Sequence, residues 1–312
     1  MELRSLRLLG KRQERSNTER CGHYGFLTLD YLQVPKTSAP PTFADSPDFV
    51  VSLARGLEII KAFGVSGLGD VAQSNMRVAD AMTLSEVAEK TGLARAVVRR
   101  FLYTLAELGY VTTDGKYFRL TAKILDLGFA YLSSFSLPKL AERFLEEVTL
   151  ETKESSSASV LDGQEIVYVA RVQTRRIMSV SLGIGSRLPA FCTSMGRVLL
   201  AHLPAEALQQ YLKTAKFDRF TEKTVVEPEA LRKELNVVAK QGFALVDQEL
   251  EIGLRSLAVP VFSGGGRAVA AINIGTQAAR TTKAQILQQF LPALRKAAKN
   301  ISSCLGHLDD RS

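Results

Sequence analysis

The stretch TLSEVAEKTGLARAVVRRFLYTLAELGYVTTDGKYFRL, Thr83 to Leu120, holds three local structures in succession. Thr83 to Lys90 reads as a short helix closed by Thr91-Gly92, and Ala94 to Leu108 as a longer helix closed by Gly109. Two β-prone segments then flank Asp114-Gly115, a dipeptide that tolerates the positive φ values of a tight hairpin. Helix, turn, helix, hairpin is the order of a winged helix-turn-helix. In the second helix Val98, Phe101, Leu102, Leu105 and Leu108 make one apolar stripe at helical spacing. Arg95, Arg99 and Tyr103 recur one turn apart on another face, which is free for a partner.

A guanidinium can approach a phosphate or fork onto a guanine edge, so that face suits the major groove of double-stranded DNA. The expected base contacts come from Arg95 and Arg99, with phosphate contacts from Arg100. Lys116 and Arg119 lie on the hairpin, where contact with DNA and simple solubilisation both stay open.

The chain has 312 residues, 46% hydrophobic and 23% charged, with a formal net charge of +8. That length suggests about two domains, and the positive excess suits a polyanionic partner. No run approaches the ~18 apolar residues of a membrane span, and the N-terminus lacks the apolar core of a secretory signal. Cys21, Cys192 and Cys304 match no metal-binding spacing, so a reducing cytoplasm is the expected setting, with no metal and no cofactor.

Four segments are expected. Residues 1–47 read as a basic arm, residues 48–120 as the DNA-reading module, 121–137 as a linker helix and 138–309 as a second domain. The module's first helix begins at Ser52, a plausible N-cap, and residues 64–80 read as a loop. The second domain shows strand groups at Ser157–Asp162, Glu165–Val172 and Arg176–Leu182, then at Phe243–Asp247, Ser256–Phe262 and Ala268–Thr276. Helices separate the groups, and Lys283 to His307 closes the chain as one helix. The pattern is α+β around a mostly antiparallel sheet.

These words resemble the IclR family of bacterial transcription regulators. The resemblance rests on Val51-Ser-Leu-Ala-Arg-Gly-Leu-Glu-Ile-Ile60 and Phe101-Leu-Tyr-Thr-Leu-Ala-Glu-Leu-Gly-Tyr110 in the module. In the second domain it rests on Leu188-Pro-Ala-Phe-Cys-Thr-Ser-Met-Gly-Arg-Val-Leu-Leu-Ala201 and Gly253-Leu-Arg-Ser-Leu-Ala-Val-Pro-Val261. Ala94-Arg-Ala-Val-Val-Arg-Arg-Phe101 and Arg187-Leu-Pro-Ala-Phe-Cys-Thr-Ser-Met-Gly196 are similar to the PcaR/PcaU/PobR-like branch. The resemblance implies a GAF-like α/β effector domain, a homodimer or dimer of dimers, and control of aromatic-acid catabolism, often by activation. The implied effector is a small aromatic acid, or a dicarboxylic acid such as β-ketoadipate. The longer link at 64–81 and the longer arm depart from the family pattern.

The family's small-molecule site maps onto Thr193, Ser194 and Met195, and near Asp247, Ser256 and Asn273. Arg176 and Arg187 are candidate carboxylate clamps, because a guanidinium fork matches a carboxylate. Plainer readings stand beside these: Ser194 as a helix cap, Ser256 and Asn273 as partners of backbone groups, Met195 as core, Arg187 as surface. Catalysis finds no support, since no histidine sits at ligand spacing and Gly264-Gly265-Gly266 lies between strands with no helix after it. The competing reading is an effector-independent DNA-binding protein whose second domain serves only assembly.

Overall fold

The computed structural model describes residues 43, 46–64, 81–134, 137–174 and 182–309. Nearly all of the basic arm, the link at 65–80, and Arg176 with most of its expected strand lie outside the described residues. One compact unit falls within residues 35–133 and a second takes up the chain from Ser134.

In the first unit, α1 (Val51–Ala62) precedes β1 (Met82–Thr83), α2 (Leu84–Thr91), α3 (Arg95–Glu107), β2 (Val111–Thr113) and β3 (Tyr117–Leu120). α2 starts on a capping box: the Glu86 N–H donates to Thr83 Oγ1 at 3.3 Å and the Thr83 N–H to Glu86 Oε2 at 2.7 Å. It ends on Gly92, whose φ of 66° needs a residue without a Cβ. Ile59, Val87, Val98, Leu102, Leu105 and Phe118 close one core beneath the three helices. Losing a side chain such as Leu102, fully buried, would cost about 2–5 kcal/mol.

Three details depart from expectation. α1 begins at Val51 after Val50, which makes no side-chain cap, so Ser52 lies inside the helix. Met82–Thr83 adds a third strand, paired antiparallel with Tyr117–Phe118, too short to show alternation in the sequence. The wing turn also differs: only Gly115 has positive φ (96°), and Asp114 Oδ1 instead accepts the N–H groups of Lys116 and Tyr117 at 3.0 and 2.7 Å. After the wing, a 3-10 turn (Ala122–Ile124) leads into α4 (Leu125–Ser134).

In the second unit α5 (Leu137–Thr152) enters β4 (Ser155–Asp162), β5 (Glu165–Val172) and β6 (Arg187–Pro189). Then follow α6 (Ser194–Ala201), α7 (Ala205–Thr214), α8 (Pro228–Gln241), β7 (Ala244–Asp247), β8 (Leu254–Phe262) and β9 (Ala268–Gln277). The six strands run in the order β6-β5-β4-β9-β8-β7, each pair antiparallel. β6 lies outside the strand groups that the sequence predicts. The β4–β5 turn is Gly163-Gln164, because Asp162 still pairs with Glu165.

The closing helix is interrupted. A turn at Lys283–Gln285 and a π-helical turn at Ile286–Phe290 precede α9 (Leu291–Asp309). Pro292 has no N–H, and its ring would crowd the carbonyl one turn back, so a widened turn ahead of it relieves both problems. α5 and α9 cover one sheet face through Phe144, Leu145, Leu294 and Ile301 against Leu257, Val259, Ile272 and Ile274. α6 lies against the strands from the other side, since it contacts β8 and β9 but contributes nothing to that core.

Candidate functional site

In the first unit, α3 turns Val98, Leu102 and Leu105 inward, which leaves Arg95, Arg99, Arg100 and Tyr103 exposed. The Arg99 guanidinium lies 5.2 Å from the centre of the Tyr103 ring, an arrangement that holds its fork extended over the helix surface. Tyr103 leans in turn on Phe118 of the wing, with ring centres 6.3 Å apart. The wing cations are more engaged: Arg119 meets Asp114 at 3.6 Å, and Lys116 lies 5.1 Å over the Tyr117 ring. An exposed ion pair of this kind is weak, so it leaves Arg119 able to exchange Asp114 for another anion.

The second unit gathers polar side chains on the sheet face toward α6. A hydroxyl chain runs from Ser194 Oγ to Ser256 Oγ at 2.6 Å, and Asn273 Nδ2 donates to the same Ser256 oxygen at 3.0 Å. Strand register extends the cluster, because Asn273 faces Ser157 across β4–β9 and Ser157 faces Arg171 across β4–β5. Arg171 Nη1 donates to Ser157 Oγ at 3.3 Å. A bulge between Ala158 and Ser159 keeps Ser159 and Tyr168 paired on this side.

This cluster is under-satisfied. Arg171 Nε, Asn273 Oδ1 and Ser159 Oγ are buried with no hydrogen-bond partner among the described residues. Burial pushes the Arg171 guanidinium below its ordinary value, opposed by Tyr168, and among the described residues no carboxylate acts on it. Burial likewise pushes the Tyr168 phenol up to about 12, against the pull of Arg171. Groups of this kind are costly unless something completes them.

The helix start is held by its own residues. Thr193 Oγ1 accepts the Gly196 N–H at 3.3 Å and donates to the Pro189 carbonyl at 3.0 Å, so that hydroxyl is spent on capping. Met195 is buried core. A Cβ on Gly196 would collide with the backbone of Ala190, which explains a glycine inside a helix. Behind this turn, Arg197 donates to Glu249 at 2.6 Å and to the Phe191 carbonyl at 3.0 Å. Burial pushes the neighbouring Cys192 thiol up to about 12, so at neutral pH it is protonated.

Two expected site residues lie elsewhere. Arg187 binds the chain's own Glu165 and Asp162 at 2.7 and 2.6 Å, because β5–β6 pairing sets it beside the β4–β5 turn. Asp247 lies opposite Arg255, and neighbours alternate along a strand, so both point away from the face that carries Ser256. Its carboxylate is held by Arg255 at 2.6 Å and Lys283 at 3.1 Å. Arg171, Ser157, Ser159 and Tyr168 are not among the residues expected from sequence, where the one signal for them is an arginine ending the apolar run Ile166-Val-Tyr-Val-Ala170.

The residues of both units match established family models. Residues 52–115 match the IclR helix-turn-helix domain, and residues 129–303 match the C-terminal domain of bacterial IclR transcriptional regulators. The chain belongs to the IclR family of transcription regulators. It is 42% identical over 260 residues to the Pca regulon regulatory protein of Pseudomonas putida, covering 83% of this chain and 85% of that one. It is 34% identical over 259 residues to the p-hydroxybenzoate hydroxylase transcriptional activator of Acinetobacter baylyi, covering 81% and 91%. Among solved structures, the inducer-binding domain of the Acinetobacter PobR transcription factor, a double mutant with 3-hydroxybenzoic acid, aligns with a TM-score of 0.51. That alignment has 32% identity and covers 54% of this chain and 98% of that one. Family membership makes the chain a transcription regulator rather than an enzyme. Among the described residues no helix is long and apolar enough to cross a membrane.

Proposed function

We propose that this IclR-family protein is a cytoplasmic, ligand-responsive activator of aromatic-acid catabolism genes, and that its effector is a hydroxylated aromatic carboxylic acid. The observation that carries the ligand reading is Arg171, a partly buried cation that, among the described residues, has an unpartnered Nε and no acid beside it. A carboxylate from outside supplies the missing charge and the missing acceptor in one group. The ligand's hydroxyl meets Asn273, whose amide keeps one unpaired polar group; a hydroxyl, donor and acceptor at once, satisfies it in either amide orientation. The activating sign follows the Acinetobacter relative named for activation.

DNA contact is assigned to Arg95, Arg99, Arg100 and Tyr103 on α3, with Lys116 and Arg119 at the wing. The working form is a homodimer or a dimer of dimers reading two symmetric half-sites. Exposed apolar residues on α1 and α4, such as Leu53 at 63% and Phe129 at 63%, support a self-association surface near the reading head. An effector-independent protein would have no use for an uncompensated guanidinium in its second unit.

The test has a ligand arm and a DNA arm. Titration calorimetry with 4-hydroxybenzoate, 3,4-dihydroxybenzoate, benzoate and β-ketoadipate should rank the hydroxylated acids first. Arg171→Gln should weaken them by about 10- to 100-fold, the worth of ~1.5–3 kcal/mol in charged hydrogen bonds. Arg99→Ala should leave ligand binding unchanged and cost about 1–3 kcal/mol on the operator. Equal affinity of Arg171→Gln and the parent protein for every acid would sink the effector assignment.

A further inference from the structure

At the open edge of the second unit's sheet lies a hollow of about 510 Å³. It forms because β7 stops short: its pairing with β8 ends at Ala258, whereas β8 continues to Phe262. A helix borders this edge on either side. α8 packs on α6, and α9 covers the opposite face of the sheet. Val259, Pro260 and Phe262 supply apolar lining, and His202 stands edge-on to Phe262 with ring centres 5.4 Å apart.

Positive charge enters the hollow from both sides. Lys240 lies in the last turn of α8, Arg295 and Lys299 lie one turn apart on α9, and no carboxylate is among the lining residues. Lys240 alone has a plain reading, since a cation suits the negative end of a helix dipole. Arg295 and Lys299 together do not, because like charges four residues apart on a helix repel. Arg295 is nonetheless fixed in place, donating to the Gln241 carbonyl at 3.0 Å and lying 5.6 Å over the Phe243 ring. Lys240 and Lys299 have no ion pair among the described residues. The open edge does not invite an added strand, since Pro260 has no N–H and the Phe262 N–H already donates to Ser302 Oγ at 2.9 Å. A lone inorganic anion would answer the charge but leave the apolar lining wet. The volume lies instead within the ~300–1,000 Å³ of small-molecule sites.

We propose that the hollow is a second ligand site, for a small organic polyanion whose carboxylates or phosphates flank an apolar body. The body covers Val259, Pro260 and Phe262. Its acidic groups meet Lys240 on one side and Arg295 with Lys299 on the other, which also relieves the repulsion along α9. This site is distinct from the effector cluster. Ser194 opens α6 and His202 follows its last residue, so a helix of 8 residues, ~12 Å long, lies between the two. The proposal is independent of the effector reading.

The experiment is titration calorimetry of the full chain in low salt. Terephthalate and hydroquinone bisphosphate share one apolar ring and carry carboxylates or phosphates at its two ends, so the tighter of them identifies the acid. Inorganic phosphate supplies charge without the ring. At least one organic probe should saturate a single site per chain, and more tightly than inorganic phosphate. Joint Lys240→Gln and Lys299→Gln should weaken it by about 10-fold, as the loss of two exposed charge contacts implies. Joint Lys240→Arg and Lys299→Arg should keep the parent affinity, which separates lost charge from lost folding. Arg171→Gln and Arg99→Ala should leave this binding unchanged. Four results overturn the proposal: no saturable binding of either organic probe, affinity that survives the glutamine pair, inorganic phosphate that binds as tightly as the organic probes, or a loss in Arg171→Gln or Arg99→Ala that places the anion in the effector cluster or on the reading helix.

Discussion

Arg171 and Arg187 carry the same guanidinium, and their neighbours separate them. Arg187 sits half-exposed between two of the chain's own carboxylates and needs nothing further. Arg171 has a serine hydroxyl and an unfilled Nε. Sequence could not distinguish them, because Ser157 meets Arg171 only through the β4–β5 register, and Asn273 joins the cluster from a strand remote in the chain by facing Ser157. Asp247 belongs to a different network, and it makes a pH prediction. Burial alone would raise its carboxyl, but hydrogen bonds from Arg255, Lys283 and Gln248 outweigh that and hold it well below the usual carboxylate range. A depressed acid contributes stability that is present above its unfolded value, ~3.9, and lost as pH falls toward the folded value. Thermal unfolding should therefore show the parent ahead of Asp247→Asn by about 1–3 kcal/mol at neutral pH, with the lead shrinking below about pH 4. A lead that grows on acidification would contradict the assigned network.

Among the elements, those written in short-range code were legible in the chain. α2, α3 and the wing follow from a capping box, a stripe and a turn within one stretch. β1 was not legible, because two residues cannot show alternation and Met82–Thr83 becomes a strand only when Tyr117–Phe118 arrives beside it. The interruption before α9 is not legible in the sequence, since the apolar stripe runs on through the π turn. For the candidate site, family likeness pointed to the start of α6, and the meeting of Ser194 with Ser256 and Asn273 lies there; the arginine did not follow from likeness. α6 also shows how tightly that start is set. Gly196→Ala must push the helix from the Ala190 backbone, at a cost of about 1–3 kcal/mol. It should lower the melting temperature of the second unit and weaken ligand binding, while operator binding by the first unit persists. Full ligand affinity in a stable Gly196→Ala protein would mean that α6 does not have to seat against Ala190.

For the whole molecule, two compact units must exchange free energy if ligand is to alter transcription. A ligand shifts the regulator only by preferring one arrangement of the reading heads over another. That preference is a coupling free energy, and it is reciprocal: the factor by which effector changes operator affinity equals the factor by which operator changes effector affinity. Typical couplings of ~1–3 kcal/mol correspond to about 5- to 150-fold. The covalent route between the units is α4, which starts just past the wing and ends where the second unit begins. A helix transmits orientation, whereas a flexible tether transmits only proximity. Replacing Leu125–Ser134 with a glycine-serine segment of equal length should therefore leave effector binding, measured alone, within a few-fold of the parent, while operator binding weakens with the loss of the apolar surface around Phe129. The coupling factor, obtained from operator titrations with and without saturating 4-hydroxybenzoate and from the converse titration, should fall to one. If both titrations instead return the parent factor, α4 is a mere tether, and the signal passes through contacts between protomers.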